Sequence, residues 1–207
     1  MSDPAPDSGT ADATYTEHLE TSVAERHGLR RILDPQRPYR WNIRRLALGR
    51  VLDVGCGVGR YLSHLDGNGV GVDHNPTSIA TARARGLTAY TTDEFVTSPD
   101  ARLGGFDSAL FAHVLEHLTR DAATALVREY LPYVGPSGRV VVICPQERGQ
   151  ASDPTHLTFL PAPAIASILE QCGLVVERTT SFPFPTWAGR WFTHNETIVI
   201  GRREREG

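Results

Sequence analysis

Residues 51–59 read V-L-D-V-G-C-G-V-G, an apolar run that passes straight into a turn with glycine at every second position. Glycine adopts positive φ without strain, and because it lacks a Cβ it lets a ligand lie against the backbone. In a doubly wound α/β sheet, ligands bind at this first crossover from strand to helix. The pattern therefore predicts a buried first strand, a tight turn and a small-molecule site.

Two classes of cofactor compete for such a turn. The dinucleotide fingerprint G-x-G-x-x-G needs a third glycine that packs the helix against the strand. Here Arg60 occupies that position, and Gly59 lies one residue earlier. Because S-adenosylmethionine (SAM) has no pyrophosphate to be cradled, the departure favours SAM over NAD and disfavours an NAD-dependent oxidoreductase.

Strand and helix patterns alternate along the rest of the chain. Predicted strands occupy residues 50–54, 69–73, 88–91, 106–111, 139–144, 174–179 and 197–200, and predicted helices occupy residues 14–33, 39–48, 58–66, 75–85, 121–134 and 163–172. Such alternation predicts a parallel sheet with helices on both faces. No helical pattern separates the last two strands, so we expect a hairpin in which one strand runs antiparallel. We divide the chain into a disordered tail (1–12), a helical cap (13–48) and a cofactor-binding sheet domain (49–207).

Acidic residues follow the second and third predicted strands. Asp73 ends the segment V-G-V-D, where a carboxylate can accept hydrogen bonds from both ribose hydroxyls. Asp93 could accept a hydrogen bond from an adenine amino group, and Phe95 could pack near the adenine ring. Taken alone, an acidic loop at residues 93–94 is more often a solvated surface than a binding site.

Together these segments resemble the class I SAM-dependent methyltransferases. The segments that match are D-V-G-C-G-V-G, V-G-V-D, F-D-S-A-L-F-A-H-V-L-E-H-L and R-V-V-V-I-C-P, in this order, over residues 45–201. The resemblance implies an α/β, Rossmann-like, doubly wound sheet of seven strands in three layers, with the last strand antiparallel. It also implies that Gly55, Cys56 and Gly57 flank the methionine part of SAM, that Asp73 binds the ribose and that Asp93 meets the adenine. The residues that we assign to SAM are Asp53, Gly55, Cys56, Gly57, Asp73, His74, Asp93, Glu94, Phe95 and Ala112.

A second group of polar residues follows the fourth predicted strand, in A-H-V-L-E-H-L at residues 112–118. If this piece is helical, His113, Glu116 and His117 share one face. His156 lies in the polar loop after the fifth strand, which we expect over the same edge of the sheet. Imidazole and carboxylate groups that converge in a pocket form a plausible divalent-metal site.

The arrangement resembles the metal site of the Hen1-type small-RNA 2′-O-methyltransferases and of the ubiquinone-pathway O-methyltransferases, where the pattern is E-x-x-E-H with a later histidine. The resemblance implies a metal set of His113, Glu116, His117 and His156. Because His113 replaces the first glutamate, and hard ions favour oxygen ligands, Mn²⁺, Fe²⁺ or Zn²⁺ suits the set better than Mg²⁺. Two alternatives stay open: His113 or His156 is a metal-free general base, or the histidines only shape the pocket.

Aromatic side chains crowd the late segment at residues 182–192, which proline interrupts twice. Such a segment could form a wall for a sugar or aromatic ring, or else a hydrophobic lid or a dimer contact. The candidate substrate-binding residues are Tyr39, Arg40, Trp41, Trp187 and Trp191. A chelating site favours an acceptor with neighbouring hydroxyls, so we expect O-methylation of a carbohydrate or secondary metabolite. A SAM-binding protein that has lost its chemistry is the alternative.

The amino-acid composition limits the classes of partner and the cellular compartment that we expect. The net charge of −3 offers no general attraction to nucleic acid or to an anionic membrane, so we expect neither as a partner. The three cysteines are odd in number and form no CxxC pair, which is typical of a reducing compartment. The absence of lysine is typical of a GC-rich genome such as an actinobacterial one. We find no signal peptide and expect a soluble cytoplasmic protein, monomeric or homodimeric.

Overall fold

The computed structural model describes residues 34–203. The predicted tail at residues 1–12 and the predicted helix at residues 14–33 lie outside this range. Within it, no helix is long and apolar enough to cross a lipid bilayer.

Seven strands form one sheet in the order β3-β2-β1-β4-β5-β7-β6. They are β1 (Val51–Val54), β2 (Gly69–Asp73), β3 (Ala89–Thr91), β4 (Phe106–Ala112), β5 (Val134–Pro145), β6 (Leu174–Phe182) and β7 (Glu196–Arg203). β7 pairs antiparallel with both β5 and β6, whereas β1 to β5 pair in parallel. The predicted doubly wound sheet and its antiparallel last strand are therefore confirmed.

Helices connect most of the strands. They are α1 (Arg37–Arg45), α2 (Arg60–His64), α3 (Pro76–Ala84), α4 (Thr92–Thr97), α5 (Arg120–Tyr130), α6 (Glu147–Gln150) and α7 (Ala162–Gln171), with 3₁₀ turns at Leu115–His117, Leu131–Tyr133 and Thr186–Arg190. Local side-chain chemistry explains where α3 begins. Asn75 accepts hydrogen bonds from the amides of Thr77 and Ser78, and Pro76 occupies the first turn of α3.

The structure differs from the sequence interpretation in two places. Residues 92–97 form α4 rather than a loop, because Thr91 and Glu94 make a capping box in which each side chain accepts a hydrogen bond from the other's backbone amide. The helix expected from His113 is only the 3₁₀ turn Leu115–His117. His113 has φ +58° and its amide still donates to the carbonyl of Ile143 in β5, so the sheet holds it at the strand end.

The core lies on both faces of the sheet, as the alternation of side chains along a strand requires. Val140 and Val142 of β5 belong to a cluster with residues of α4, α5 and α7. Val141 and Ile143 belong to a second cluster, which includes Ile43 of α1 and Tyr61 of α2. Helices cover both faces of the sheet. The turns that carry the polar residues therefore meet at its carboxyl edge, where β1, β2, β4 and β5 end.

Candidate active site

The glycine turn after β1 is shaped by backbone geometry. Gly55, Gly57 and Gly59 have φ of 71°, 52° and 77°, which side-chain-bearing residues rarely adopt. A Cβ on Gly55 would lie 2.3 Å from a methyl carbon of Val114. The amides of Gly55 and Cys56 both donate to the carbonyl of Val72 in β2, at 2.7 and 3.1 Å. The turn is therefore fixed between β2 and the segment that follows β4.

Asp73 ties this turn to the end of β2. Its Oδ2 accepts a 2.8 Å hydrogen bond from the amide of Gly57, and its Oδ1 accepts one of 2.9 Å from the amide of Asn75. The ring Nδ1 of the exposed His74 lies 3.5 Å from the same Oδ1. Each carboxylate oxygen has two lone pairs, so Asp73 keeps the capacity to accept hydroxyl donors from a ligand.

Asp53 is the buried acid of the first strand. It is 1% exposed, and its Oδ2 has no hydrogen-bond partner among residues 34–203. Burial, and then the charge of Asp73, raise the pKa of Asp53 to about 8. A cationic group of a ligand placed beside Asp53 would favour the ionised carboxylate and satisfy this acceptor. The ammonium group of an amino-acid cofactor is a donor of that kind.

Two other predicted cofactor residues line the same region. Cys56 is 8% exposed, and its Sγ lies 3.5 Å from the carbonyl oxygen of Gly57. Ala112, the last residue of β4, is 7% exposed and packs with the second core cluster. Both side chains are small and uncharged, so they can pack against a ligand beside the turn but cannot pair with a charge on it.

The residues expected at the adenine lie in α4. Asp93 is exposed in its first turn, where the helix dipole favours a negative charge. Glu94 is engaged in the capping box and in a 2.7 Å ion pair with Arg83. Phe95 has no exposed surface and packs edge-on against Tyr133, so its ring anchors α4 and presents no face to a ligand.

His113 is held between two carboxylates. Its Nε2 lies 3.0 Å from Oε1 of Glu196, and its Nδ1 lies 3.3 Å from Oε1 of Glu116. Burial opposes the charged form, but the interactions with the carboxylates of Glu116 and Glu196 prevail and raise the pKa of His113 to about 9. Two carboxylates beside one imidazole favour its imidazolium form, in which each ring nitrogen carries a proton. In this arrangement neither nitrogen is free to bind a metal ion or to act as a base, the two roles that the sequence suggests for His113.

Glu116, His117 and His156 form a compact group instead, with ligand atoms within 4.8 Å of one another. Nδ1 of His117 lies 3.2 Å from the carbonyl oxygen of Thr155, and Nδ1 of His156 lies 3.1 Å from that of Gln150. Because a carbonyl can only accept, Nδ1 of each ring carries the proton and Nε2 keeps its lone pair. Backbone carbonyls orient metal-binding histidines in this way.

The carboxylate of this group, Glu116, has oxygens that could accept a cation. Glu116 is fully buried, and neither of its oxygens makes a well-directed hydrogen bond among residues 34–203. Burial raises its pKa, but the charged His113 outweighs that effect and holds the pKa of Glu116 below its ordinary value. The amides of Leu157 and Thr158 both donate to the backbone carbonyl of Glu116, so the loop that carries His156 is fixed beside it.

Glu196 and Tyr61 complete the surroundings of His113, and neither was singled out from the sequence. The ring of Tyr61 stacks on that of His113 with centroids 6.3 Å apart, and the guanidinium of Arg60 lies over Tyr61 at 4.8 Å. Tyr61 is the second residue of α2, directly after the glycine turn. A polar pair, Asn195-Glu196, before an apolar strand was the signal available for Glu196.

The predicted substrate residues come together in part. Tyr39 packs edge-on against Phe182, Trp41 lies 6.4 Å from the same ring, and the hydroxyl of Tyr39 donates to the carbonyl of His194. Trp187 and Trp191 contact each other at 6.1 Å and are 66% and 71% exposed. α1 thus meets the β6–β7 connection as expected, whereas Arg40 forms an ion pair with Asp34 and points elsewhere.

A buried amide network makes that aromatic connection rigid. Asn195 donates from its Nδ2 to the side chain of Gln146 at 2.9 Å and accepts from the amide of Phe184 at 3.0 Å. Gln146 in turn donates to Ser181 and to the carbonyl of Glu196. The aromatic loop and Glu196 therefore share one anchor.

A family model described as a methyltransferase domain matches residues 26–179 of the chain. No curated protein matches it. The fold is similar to that of a SAM-dependent methyltransferase from Archaeoglobus fulgidus (TM-score 0.65, 18% identity, covering 93% of this chain and 100% of the other). It is also similar to the magnesium protoporphyrin IX methyltransferase of Synechocystis PCC 6803 with bound SAM (TM-score 0.66, 16% identity, covering 98% of this chain and 100% of the other). A third similar structure is the 1,6-didemethyltoxoflavin N1-methyltransferase of Burkholderia thailandensis with S-adenosylhomocysteine (TM-score 0.59, 16% identity, covering 99% of this chain and 94% of the other).

Proposed function

Since the chain belongs to the methyltransferase domain family and is a SAM-dependent methyltransferase, we propose that it methylates a hydroxyl oxygen of a small molecule with the help of a divalent cation. The observation that carries the proposal is the group of Glu116, His117 and His156 at the carboxyl edge of the sheet. Val114, whose side chain contacts Gly55 of the cofactor turn, lies in the same short segment. The metal group and the cofactor turn therefore adjoin.

The residues around the turn fit SAM. Asp73 would accept the ribose hydroxyls while it keeps its bonds to the amides of Gly57 and Asn75. Asp53 would pair with the ammonium group of the methionine part, which would satisfy its unpartnered Oδ2. Gly55, Cys56 and Gly57 would let the cofactor lie on the backbone, and Asp93 stays the candidate for the adenine amino group.

The donor set supports a borderline metal ion. Two imidazole nitrogens and one carboxylate suit Mn²⁺ or Zn²⁺, and Mg²⁺ fits less well because it prefers oxygen ligands. Asp153, whose Oδ2 lies 3.9 Å from Nε2 of His156, is close enough to contribute a further oxygen. A bound cation would supply Lewis acidity that lowers the pKa of an acceptor hydroxyl. Glu116, His117 and His156 would hold and orient it.

The acceptor proposal follows from the exposed aromatic wall. Trp187 and Trp191 project from a rigid loop, and Tyr39 and Trp41 approach it from α1. Aromatic faces of this kind stack on sugar or aromatic rings. With a chelating site beside them, neighbouring hydroxyls on a carbohydrate or a secondary metabolite are the acceptor chemistry that we propose.

The test is methyl transfer from labelled SAM by the full chain to a panel of catechol, a methyl glycoside with neighbouring hydroxyls, and an aliphatic amine. We expect transfer to a hydroxyl acceptor, loss of transfer with a chelator and its return with Mn²⁺. Turnover that a chelator leaves unchanged would contradict the metal. Transfer to the amine alone would contradict O-methylation.

A further inference from the structure

We propose that Glu196 is the proton acceptor of the reaction, a catalytic role for a residue outside every motif in the sequence. The inference rests on the proposed function, because it assigns the base for methyl transfer to an acceptor hydroxyl. It is carried by the placement of the Glu196 carboxylate, by its contact with His113 and by the engagement of the other candidate bases.

The topology brings Glu196 to the reacting edge of the sheet. It is the first residue of β7 and pairs with Pro145 at the end of β5. Because β7 runs antiparallel, its first residue lies at the edge where β4 and β5 end. Its side chain points to the same face as Ile198, the face where Tyr61 and α1 pack. A carboxylate at a strand end thus reaches the space beside His113 and the cofactor turn.

Local hydrogen bonds hold this carboxylate and leave some of its acceptor capacity unused. Oε1 accepts a 3.0 Å hydrogen bond from Nε2 of His113, and the backbone carbonyl of Glu196 accepts from Gln146. An ionised carboxylate retains further lone pairs on both oxygens. The charge of Glu196 also acts on Tyr39 of α1: after burial, it is the next cause that raises the pKa of Tyr39 to about 12. The group is preorganised and remains able to accept a proton.

The other candidate bases are committed elsewhere. Nε2 of His113 is hydrogen-bonded to Glu196 and its Nδ1 lies 3.3 Å from a carboxylate oxygen of Glu116, so each ring nitrogen faces a carboxylate rather than a ligand. Nδ1 of His156 donates to Gln150, and its Nε2 faces the group formed with Glu116 and His117. Burial raises the pKa of Tyr61 well above its ordinary value, so its hydroxyl stays protonated. Because Glu116 would hold the cation, Glu196 is the remaining carboxylate in contact with His113, and lone pairs stay available on its oxygens.

The step balances with Glu196 as the base. A lone pair of the acceptor oxygen forms the new C–O bond as the bond between methyl carbon and sulfur breaks, and that electron pair stays on sulfur to give S-adenosylhomocysteine. The O–H bond breaks and its proton passes to Glu196, which becomes a neutral carboxylic acid. One sulfonium and one carboxylate charge are lost together. His113 keeps the carboxylate oriented throughout.

The test compares an oxygen acceptor with its sulfur analogue. Glu196→Gln keeps the size of the side chain and an oxygen that accepts from His113, but it cannot take a proton in this step. Catechol needs a base, whereas the thiol of ortho-mercaptophenol is largely ionised in mildly alkaline buffer. We expect Glu196→Gln to lower kcat for catechol at least about 100-fold and to leave kcat for S-methylation of ortho-mercaptophenol within about threefold.

The matched control is Glu177→Gln, an exposed glutamate of β6, which should leave both rates unchanged. Affinity for S-adenosylhomocysteine should be equal in all three proteins. A normal catechol rate in Glu196→Gln, or an equal loss of both rates, overturns the inference. A wild-type protein that methylates no hydroxyl contradicts the proposed function itself, which separates the two failures.

Discussion

The amide of Gly57 donates a 2.8 Å hydrogen bond to Oδ2 of Asp73, which joins the turn after β1 to the end of β2. This contact links the two sequence signals that point to a nucleoside cofactor. A residue that can accept ribose hydroxyls also fixes the backbone against which the methionine part would lie. If Asp73 binds the ribose as we propose, one carboxylate couples cofactor binding to the shape of the turn.

Gly55→Ala tests whether the turn depends on close packing. Gly86 provides a matched control, since both glycines have left-handed φ, of 71° and 78°, but a Cβ on Gly86 meets nothing within 4 Å. Gly86→Ala should lower the free energy of unfolding by about 1–2 kcal/mol through backbone strain alone. Gly55→Ala adds an overlap with Val114 of about 1–3 kcal/mol and should also weaken SAM binding. Equal effects in urea denaturation and calorimetry would contradict the packing account.

Metal binding is tested apart from activity by equilibrium dialysis with Mn²⁺. We expect the wild-type protein to bind about one ion per chain. His117→Ala and His156→Ala should each weaken binding at least about tenfold, because each removes a ligand. His194→Ala, which removes an exposed imidazole, serves as the control. Mn²⁺ binding that survives loss of both His117 and His156 would refute the site.

Trp187 and Trp191 should matter for the acceptor and little for folding. Both side chains are mostly exposed, so replacing either by alanine removes little buried surface. We expect each variant to raise the KM for the acceptor without lowering the thermal midpoint. Leu103→Ala, at a leucine that is 77% exposed, is the control for loss of an exposed apolar side chain. An unchanged KM in both tryptophan variants would show that the acceptor lies elsewhere.

Acid should destabilise the protein through His64. Burial, followed by the charges of Arg60 and Arg40, lowers the pKa of His64 from 6.5 to about 4. Between these values the unfolded state binds more protons, so the free energy of unfolding falls as the pH falls from 6.5 to about 4 and is unaffected above that range. In urea denaturation across this range, His64→Gln should lose less stability than the wild type. Parallel pH profiles would rule out His64 as the source.

The sheet was predictable because its signals are local. Apolar runs such as residues 140–144 and the glycine turn fix the strands and their first crossover, and the antiparallel β7 followed from the missing helix before it. Helix α4 was not predictable from hydrophobic period. It depends on the capping box of Thr91 and Glu94, of which Thr91 was predicted to end a strand and Glu94 to be solvated or ligand-binding.

The candidate site was predictable where its residues adjoin in sequence or lie in a polar segment directly after a predicted strand. Glu116, His117 and His156 were found because two of them are neighbours and the third lies in a polar loop. Glu196 was missed because its contact with His113 joins residues 83 positions apart, through the return of β7 beside β5. The left-handed φ of His113 likewise depends on the hydrogen bond to Ile143 and not on its own residue type.

The central claim is that the Gly57–Asp73 pair belongs to a SAM site, and isothermal titration of the purified chain with S-adenosylhomocysteine and with NAD tests it most directly. We predict saturable binding of the former, no binding of NAD, and at least about a tenfold weaker affinity in Asp73→Ala, which loses a charged hydrogen-bond acceptor. Asp121→Asn, at an exposed carboxylate of α5, should bind as the wild type does. Absence of S-adenosylhomocysteine binding, or an affinity that Asp73→Ala leaves unchanged, would contradict the account.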